Sequence, residues 1–302
     1  MRNLILFIAL TLSSIYGQAQ YNFDFGVNLG ATSFLGELGG PDKSPQNNFR
    51  DMNLESTRYA FGGFARYRFL PKLAGKVSLN YLRVSGADSL TNEPTKRARN
   101  LSFRADIIEA SATLEYYFLS LNYLNKKARF NSDFKAYFFG GFSAFYYKPE
   151  TEYQGEWYDL RTLRTEGQEK EYDQISFAIP FGVGFYYSVQ RNIRIGMEFG
   201  YRATFTDYLD DVSDVYASPE SLPFAQSILL ANRTQERRAI EGDEKFPNSG
   251  FYQQGSKRGN PNSNDGYLLT QLSVSYAIRG KSSFYKARYN KVINKRRKRT
   301  KF

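Results

Sequence analysis

The chain has 302 residues, 41% hydrophobic and 17% aromatic, yet its mean hydropathy is only −0.54; it can bury a sizeable core, but its apolar residues must be interleaved with polar ones. It contains no Cys and no His, which excludes disulfides, thiolate chemistry, a lipid on an N-terminal Cys, most zinc sites and every Ser-His-Asp or Cys-His catalytic arrangement. Eleven of its 41 Lys and Arg lie in residues 279–302, which hold no acid, so the rest of the chain balances 30 basic against 30 acidic residues and the tail carries the whole net charge of +11.

Residues 1–19 read as an export signal. Arg2 forms the positive start, Leu4 to Leu12 the apolar run, and Gly17 and Ala19 the small residues of a cleavage site before Gln20. That run is too short to span a bilayer as a helix, and nothing after it supplies about 20 consecutive apolar residues. Export also argues against nucleic acid as the partner of the basic tail.

From Tyr21 onward the dominant period is two. Eight segments show it: 22–36, 58–70, 72–87, 99–118, 133–147, 173–189, 192–206 and 266–278. In the seventh, Ile193, Ile195, Met197, Phe199, Tyr201, Ala203 and Phe205 share one face, while Arg194, Glu198, Arg202 and small residues share the other. The sixth alternates Ile175, Phe177, Ile179, Phe181, Val183, Phe185, Tyr187 and Val189 with polar or small residues. The connections alternate as well. Those at 71–72 and 190–191 are minimal and that at 119–132 is moderate, whereas 37–57, 88–98, 148–172 and 207–265 are mostly long and polar.

This pattern predicts an all-β fold, an eight-stranded antiparallel transmembrane β-barrel over residues 20–278, with long external loops and both ends in the periplasm. A soluble barrel or sandwich has the same period with its apolar face turned inward. Strand length, aromatics near strand ends and the strict order of long and short connections favour the membrane version. Outer-membrane lipid is then the first partner and the cell outer membrane the location. Eight strands enclose a space just wide enough for side chains, so the lumen is a plug and not a pore. The lumen is expected to hold Arg66, Arg68, Lys76, Lys135, Arg194 and Arg202 with Asp24, Glu109, Glu115 and Glu198, as an ion-paired structural network in preference to a proton path.

Two loop motifs follow from this order. The first strand runs into Phe34-Leu35-Gly36-Glu37-Leu38-Gly39-Gly40, and the seventh into Thr206-Asp207-Tyr208-Leu209-Asp210-Asp211-Val212-Ser213-Asp214-Val215-Tyr216. Gly36, Gly39 and Gly40 read as turn residues with access to positive φ. Asp207, Asp210, Asp211 and Asp214 offer oxygens that suit Ca²⁺, but their spacing is not that of a calcium loop, and a solvated or Arg-paired loop is the expectation, with no metal and no cofactor. Further along, Ser218-Pro219 reads as a helix start, with Leu222, Phe224, Ala225, Ile228 and Leu229 as its apolar side, either capping the barrel or meeting an external partner.

Together with the signal sequence and the eight-strand pattern, these motifs resemble the PorG-like outer-membrane barrel family of the Bacteroidota type IX secretion system. The resemblance covers most of the mature chain and implies a protein-secretion component, not an enzyme, that ties a periplasmic ring, its proteins or lipoproteins, to the outer membrane. Independently of it, the tail at 279–302 sets Tyr285, Tyr289, Val292 and Ile293 at i, i+4, i+7 and i+8, one stripe of a helix, beside the cluster Lys295, Arg296, Arg297, Lys298 and Arg299. Such a stripe docks on a periplasmic partner, or the tail is a disordered basic end. The alternative function is an adhesion or receptor barrel whose long external loops bind a ligand or surface.

Overall fold

Alternation of side chains is what closes this chain on itself. The computed structural model describes residues 23–38, 54–91, 93–121, 133–190, 192–242 and 249–278. The export signal at 1–19, Gly39, Gly40 and the whole basic tail therefore lie outside the described residues. Eight long strands pair antiparallel in the order β4-β3-β2-β1-β9-β8-β7-β5, and β4 pairs with β5 to close the ring. They are β1 (Phe23–Leu35), β2 (Arg58–Leu70), β3 (Leu73–Ala87), β4 (Ser102–Leu121), β5 (Phe134–Tyr153), β7 (Ile175–Ser188), β8 (Ile193–Thr204) and β9 (Gly266–Ile278). The ninth, β6 (Glu156–Asp159), pairs only with β5.

The expected segments agree with these strands except beyond 147. There β5 continues to Tyr153 and turns back into β6, so part of the connection expected as loop is a ribbon that stands above the rim on β4 and β5. Pro149 sits in this ribbon opposite Ala105. The ladder from β5 to β7 ends at Tyr146 opposite Ile175, which leaves Pro149 a position without that neighbour.

The faces decide between the membrane and soluble versions. Val27, Leu29, Val77, Leu79, Leu114, Phe142, Leu272 and Val274 point outward and are exposed around the middle of the wall. Aromatics flank this band. Phe25, Phe118, Phe138, Tyr187 and Tyr276 ring the short-turn end, with Phe118 and Phe138 rings 4.6 Å apart, while Tyr59, Phe61 and Tyr146 lie toward the long-loop end. An apolar belt between aromatic girdles is the exterior of a barrel that crosses hydrocarbon; a soluble barrel hides that belt inside.

The interior is the ion-paired network expected from the sequence. Arg66 is its hub, at 3.1 Å from Asp24, 2.8 Å from Glu115 and 3.5 Å from Glu198. Lys76 reaches Glu198 at 2.6 Å, Arg194 reaches Asp24 at 3.1 Å, and Arg202 reaches Glu109 at 3.2 Å. Tyr137 accepts from Arg66 and donates to Glu198 at 2.6 Å, and Tyr267 donates to Glu109 at 2.8 Å. All four lumen carboxylates thus meet a cation. Arg68 and Lys135 meet no acid in this network. They lie over the Tyr117 ring at 5.0 and 5.8 Å, and Arg68 also donates to Tyr186. Rings serve because the face of a π-system is negative.

Inward glycines make this density possible. A Cβ on Gly184 would lie 2.6 Å from the Tyr137 ring, and one on Gly200 would lie 2.7 Å from Phe139. In a wall of eight strands, each large inward side chain needs a small one across from it.

Candidate functional site

The long-loop end is closed by a folded cap. Leu38 from the loop after β1, Leu160 from α2 (Leu160–Leu163), and Leu209 and Val212 from the segment after β8 descend onto Leu82, Val84, Ile107 and Phe145 of the wall. These four loop residues are buried. The helix expected from Ser218 is shifted: Pro219–Ser221 makes a single 3-10 turn and α3 begins at Ala225 (Ala225–Ala231). Pro223 is the reason, because the residue before a proline is driven to extended backbone, and Leu222 has φ −86° and ψ 129°. Ser227, Leu230 and Ala231 become the buried side, with Ser227 donating to the Leu163 carbonyl at 2.6 Å, while Phe224, Ile228 and Leu229 are exposed.

Two guanidiniums knit the cap. Arg99, the last residue of α1 (Pro94–Arg99), grips Asp88 with two bonds of 2.7 and 2.8 Å and donates to the carbonyls of Arg258, at 2.7 Å, and Glu37, at 3.3 Å. Arg258 reaches Glu166 at 2.8 Å and donates to the Asp211 carbonyl. Glu166 also accepts from the Ser213 backbone N–H at 2.9 Å. Asp211 is held in left-handed backbone, φ 64°, by Thr165 and by Tyr172, whose hydroxyl donates at 3.0 Å. Burial pushes the Asp211 carboxyl up to about 7, with Arg258 opposing.

The two sequence motifs meet here. Glu37 from the first loop, Asp207 and Asp210 from the segment after β8, and Asp265, immediately before β9, form one buried acidic group. Asp265 takes the Leu209 N–H at 3.0 Å and Asp210 takes the Val212 N–H at 3.0 Å, each with one oxygen. The remaining oxygens, Glu37 Oε2, Asp210 Oδ2 and Asp265 Oδ1, have no hydrogen-bond partner, and Asp207 leans toward Ser213 outside hydrogen-bond geometry. Burial, with the mutual repulsion of the acids, raises all four: Glu37 to about 7, Asp207 to about 8, and Asp210 and Asp265 well above the carboxylate range. Among the described residues no group of three or more acids, this one included, is placed so that it could hold a metal ion.

Of the predicted site residues, Gly39, Gly40, Tyr285, Tyr289, Val292, Ile293 and Lys295 to Arg299 lie outside the described residues; the others have the following positions. Tyr208 stacks on Tyr172 with ring centroids 4.7 Å apart. Asp214 is exposed and stands apart from the acidic group, and Asp211 is engaged by Arg258, Thr165 and Tyr172. The expectation of a solvated or Arg-paired loop is corrected on Asp207 and Asp210, which are buried and have no Arg within hydrogen-bond reach. Gly36 does not adopt positive φ; a Cβ there would lie 2.4 Å from Asp265 Oδ1, so close approach is what requires glycine. Asp265, Glu166, Arg99 and Arg258 escaped the sequence reading. Beside Glu37 opens a cavity of about 740 Å³, lined also by Lys96, Arg99, Tyr216, Tyr252 and Lys257.

Comparison with solved structures gives distant likenesses. OprG, an outer-membrane protein of Pseudomonas aeruginosa, is 12% identical with a TM-score of 0.40, over 87% of this chain and 99% of that one. Ail, the attachment invasion locus protein of Yersinia pestis, crystallised with the heparin analogue sucrose octasulfate, is 11% identical with a TM-score of 0.35, over 85% and 99%. Neisserial surface protein A is 11% identical with a TM-score of 0.35, over 85% and 97%. No curated protein matches the sequence. The family model for DUF6089, a domain of unknown function, matches residues 2–227. The chain belongs to the DUF6089 family.

Proposed function

We propose that this protein is a non-enzymatic barrel of the outer membrane that anchors a periplasmic partner, as a component of a protein secretion apparatus of the type IX kind. One observation carries the reading. Phe23 pairs with Ile278 at the short-turn rim, opposite the capped mouth, so residues 279–302 with their eleven Lys and Arg depart from that rim. A filled, ion-paired lumen supports an anchor over a conduit. The resemblance carried by the loop motifs supports secretion as the process, with ring proteins or lipoproteins as partners.

The experiment is affinity purification from membranes. Deleting residues 281–302 should leave a barrel that still shifts on heating in gel electrophoresis and should abolish capture of the periplasmic partner. Unchanged capture removes the anchoring role. A second reading, a barrel whose loops bind an external ligand, draws on the cavity beside Glu37. It survives that deletion and fails instead when the loop residues 249–264 are removed.

A further inference from the structure

The cavity beside Glu37 has cationic walls. At about 740 Å³ it has the size of a pocket for a small organic molecule. Arg99, Tyr216, Tyr252 and Arg258 are buried and form its inner wall, while Phe251 and Lys257 are exposed and stand at its mouth. The two segments that carry most of this wall are stitched together by backbone. Val215 pairs with Lys257, the Tyr216 N–H donates to the Ser256 carbonyl at 2.9 Å, and the Arg258 N–H donates to the Asp214 carbonyl at 2.8 Å.

Three donors on these walls have no acceptor. The Tyr216 hydroxyl and Arg258 Nε lack a hydrogen-bond partner although their residues are only 4% and 3% exposed, and Lys96 Nζ lacks one too. Buried donors are ordinarily satisfied, so these three mark an acceptor that the protein does not supply. Burial, and then the neighbouring Arg99, push the Lys96 ammonium down, a cost that a bound anion removes. The nearby acids do not answer these groups. Asp88 is spent on Arg99 and Glu166 on Arg258. Glu37 lies within electrostatic reach of Lys96, Arg99 and Lys257, but burial, with Asp207 beside it, raises it to about 7, so it is half protonated at neutral pH. A protonated Glu37 donates where its carboxylate would repel. Glu93, near Lys96, is the other acid of the wall among the described residues.

We infer that this cavity binds a small organic phosphate, with Lys96, Lys257, Tyr216 and Arg258 as donors to the phosphate group and Tyr252 and Phe251 as the wall for its organic part. A phosphate ester suits this donor set because it offers three strong acceptor oxygens and about two negative charges. A carboxylate has only two oxygens and one charge, and would leave donors unmet. The lysines act as point charges, which is how ammonium groups hold phosphate. The aromatic wall is rigid. Tyr216 and Tyr252 meet edge to face with centroids 6.2 Å apart, and the Tyr252 hydroxyl donates to the Thr95 carbonyl at 2.8 Å. Rings held in this way offer contact area to a sugar or other flat body at little entropic cost. Two sources carry this chemistry, a dissolved sugar phosphate and the phosphorylated sugar headgroup of a lipid. The site is independent of the anchoring role; it gives the second reading above, loops that bind an external ligand, its ligand class.

The test uses the full chain refolded in detergent and titrated calorimetrically, at matched ionic strength, with glucose 1-phosphate, glucose, inorganic phosphate, and diphosphoryl lipid A carried in the micelles. A phosphate ester should bind saturably and about tenfold or more tighter than inorganic phosphate, and glucose should not bind. Binding of glucose 1-phosphate assigns the site to a dissolved ester; binding of the lipid alone assigns it to a headgroup. Lys257→Gln, at an exposed position, should melt as the unaltered protein does and weaken binding about tenfold, as should Lys96→Met. The proposal is overturned if neither ester binds saturably, if inorganic phosphate or glucose binds as tightly, or if Lys257→Gln melts normally and keeps full affinity. The first two results need no variant, so a misfolded mutant cannot shelter it. Deleting residues 281–302 leaves this binding intact, so failure here and failure of the anchoring role are read separately.

Discussion

Replacing Arg66 by methionine should destabilise the barrel by about 3–5 kcal/mol, because removing one partner of a buried pair leaves its counter-charge stranded. Three carboxylates meet this guanidinium, which is itself 3% exposed; Asp24 and Glu198 also meet Arg194 and Lys76, so Glu115 is the one stranded without a cation. Tyr137 would lose its donor as well. Arg66→Lys should lose less but not nothing, since an ammonium restores the charge without the planar fork that reaches Asp24, Glu115 and Glu198 together. Urea titration of the protein in lipid vesicles, followed by loss of the heat-shifted gel band, reads both. A loss under about 1 kcal/mol for the methionine variant would mean that water fills the lumen and screens these charges as it does surface pairs.

The second large effect concerns the outer wall. Leu29 is the central residue of β1 and is 68% exposed. In hydrocarbon, Leu29→Arg should cost about 2–4 kcal/mol, whereas Leu70→Arg, at the rim where β2 turns into β3, should cost about 0–1 kcal/mol. The depth dependence is the point. A barrel in water would show neither cost beyond the usual ±0.5 kcal/mol or so of a surface change. Equal, small losses at the two positions would therefore refute the membrane reading directly.

The wall was legible because its signal is short-range. A period of two separates Arg194, Glu198 and Arg202 from Ile195 and Phe199 within a single strand, and pairing follows chain order. All ten charged residues expected in the lumen lie on inward-facing positions, including Arg68 and Lys135 toward the short-turn end. The ribbon above the rim was not legible: Lys148-Pro149-Glu150 reads as loop because its polar residues and proline carry no alternation that needs hydrocarbon.

The cap was half legible. The motif segments around Glu37 and Asp207 stood out, but nothing local announces that Asp265 lies beside them or that Arg99 and Arg258 hold the loops in place. Those contacts span 159 positions between Arg99 and Arg258, and 228 between Glu37 and Asp265. The helix begins at Ala225, six residues beyond the Pro219 start that its apolar pattern predicts, because Pro223 holds Leu222 in extended backbone.

The seam between β1 and β9 has a consequence for manufacture. Phe23 through Leu35 lie opposite Ile278 through Gly266, so the first and last strands of the barrel to be synthesised share one row of hydrogen bonds. Until the ribosome has delivered β9, β1 and β8 each expose a ready template for a foreign strand. The cell must therefore escort this protein nearly whole, and a premature stop anywhere before residue 266 yields an adhesive sheet instead of a shorter barrel.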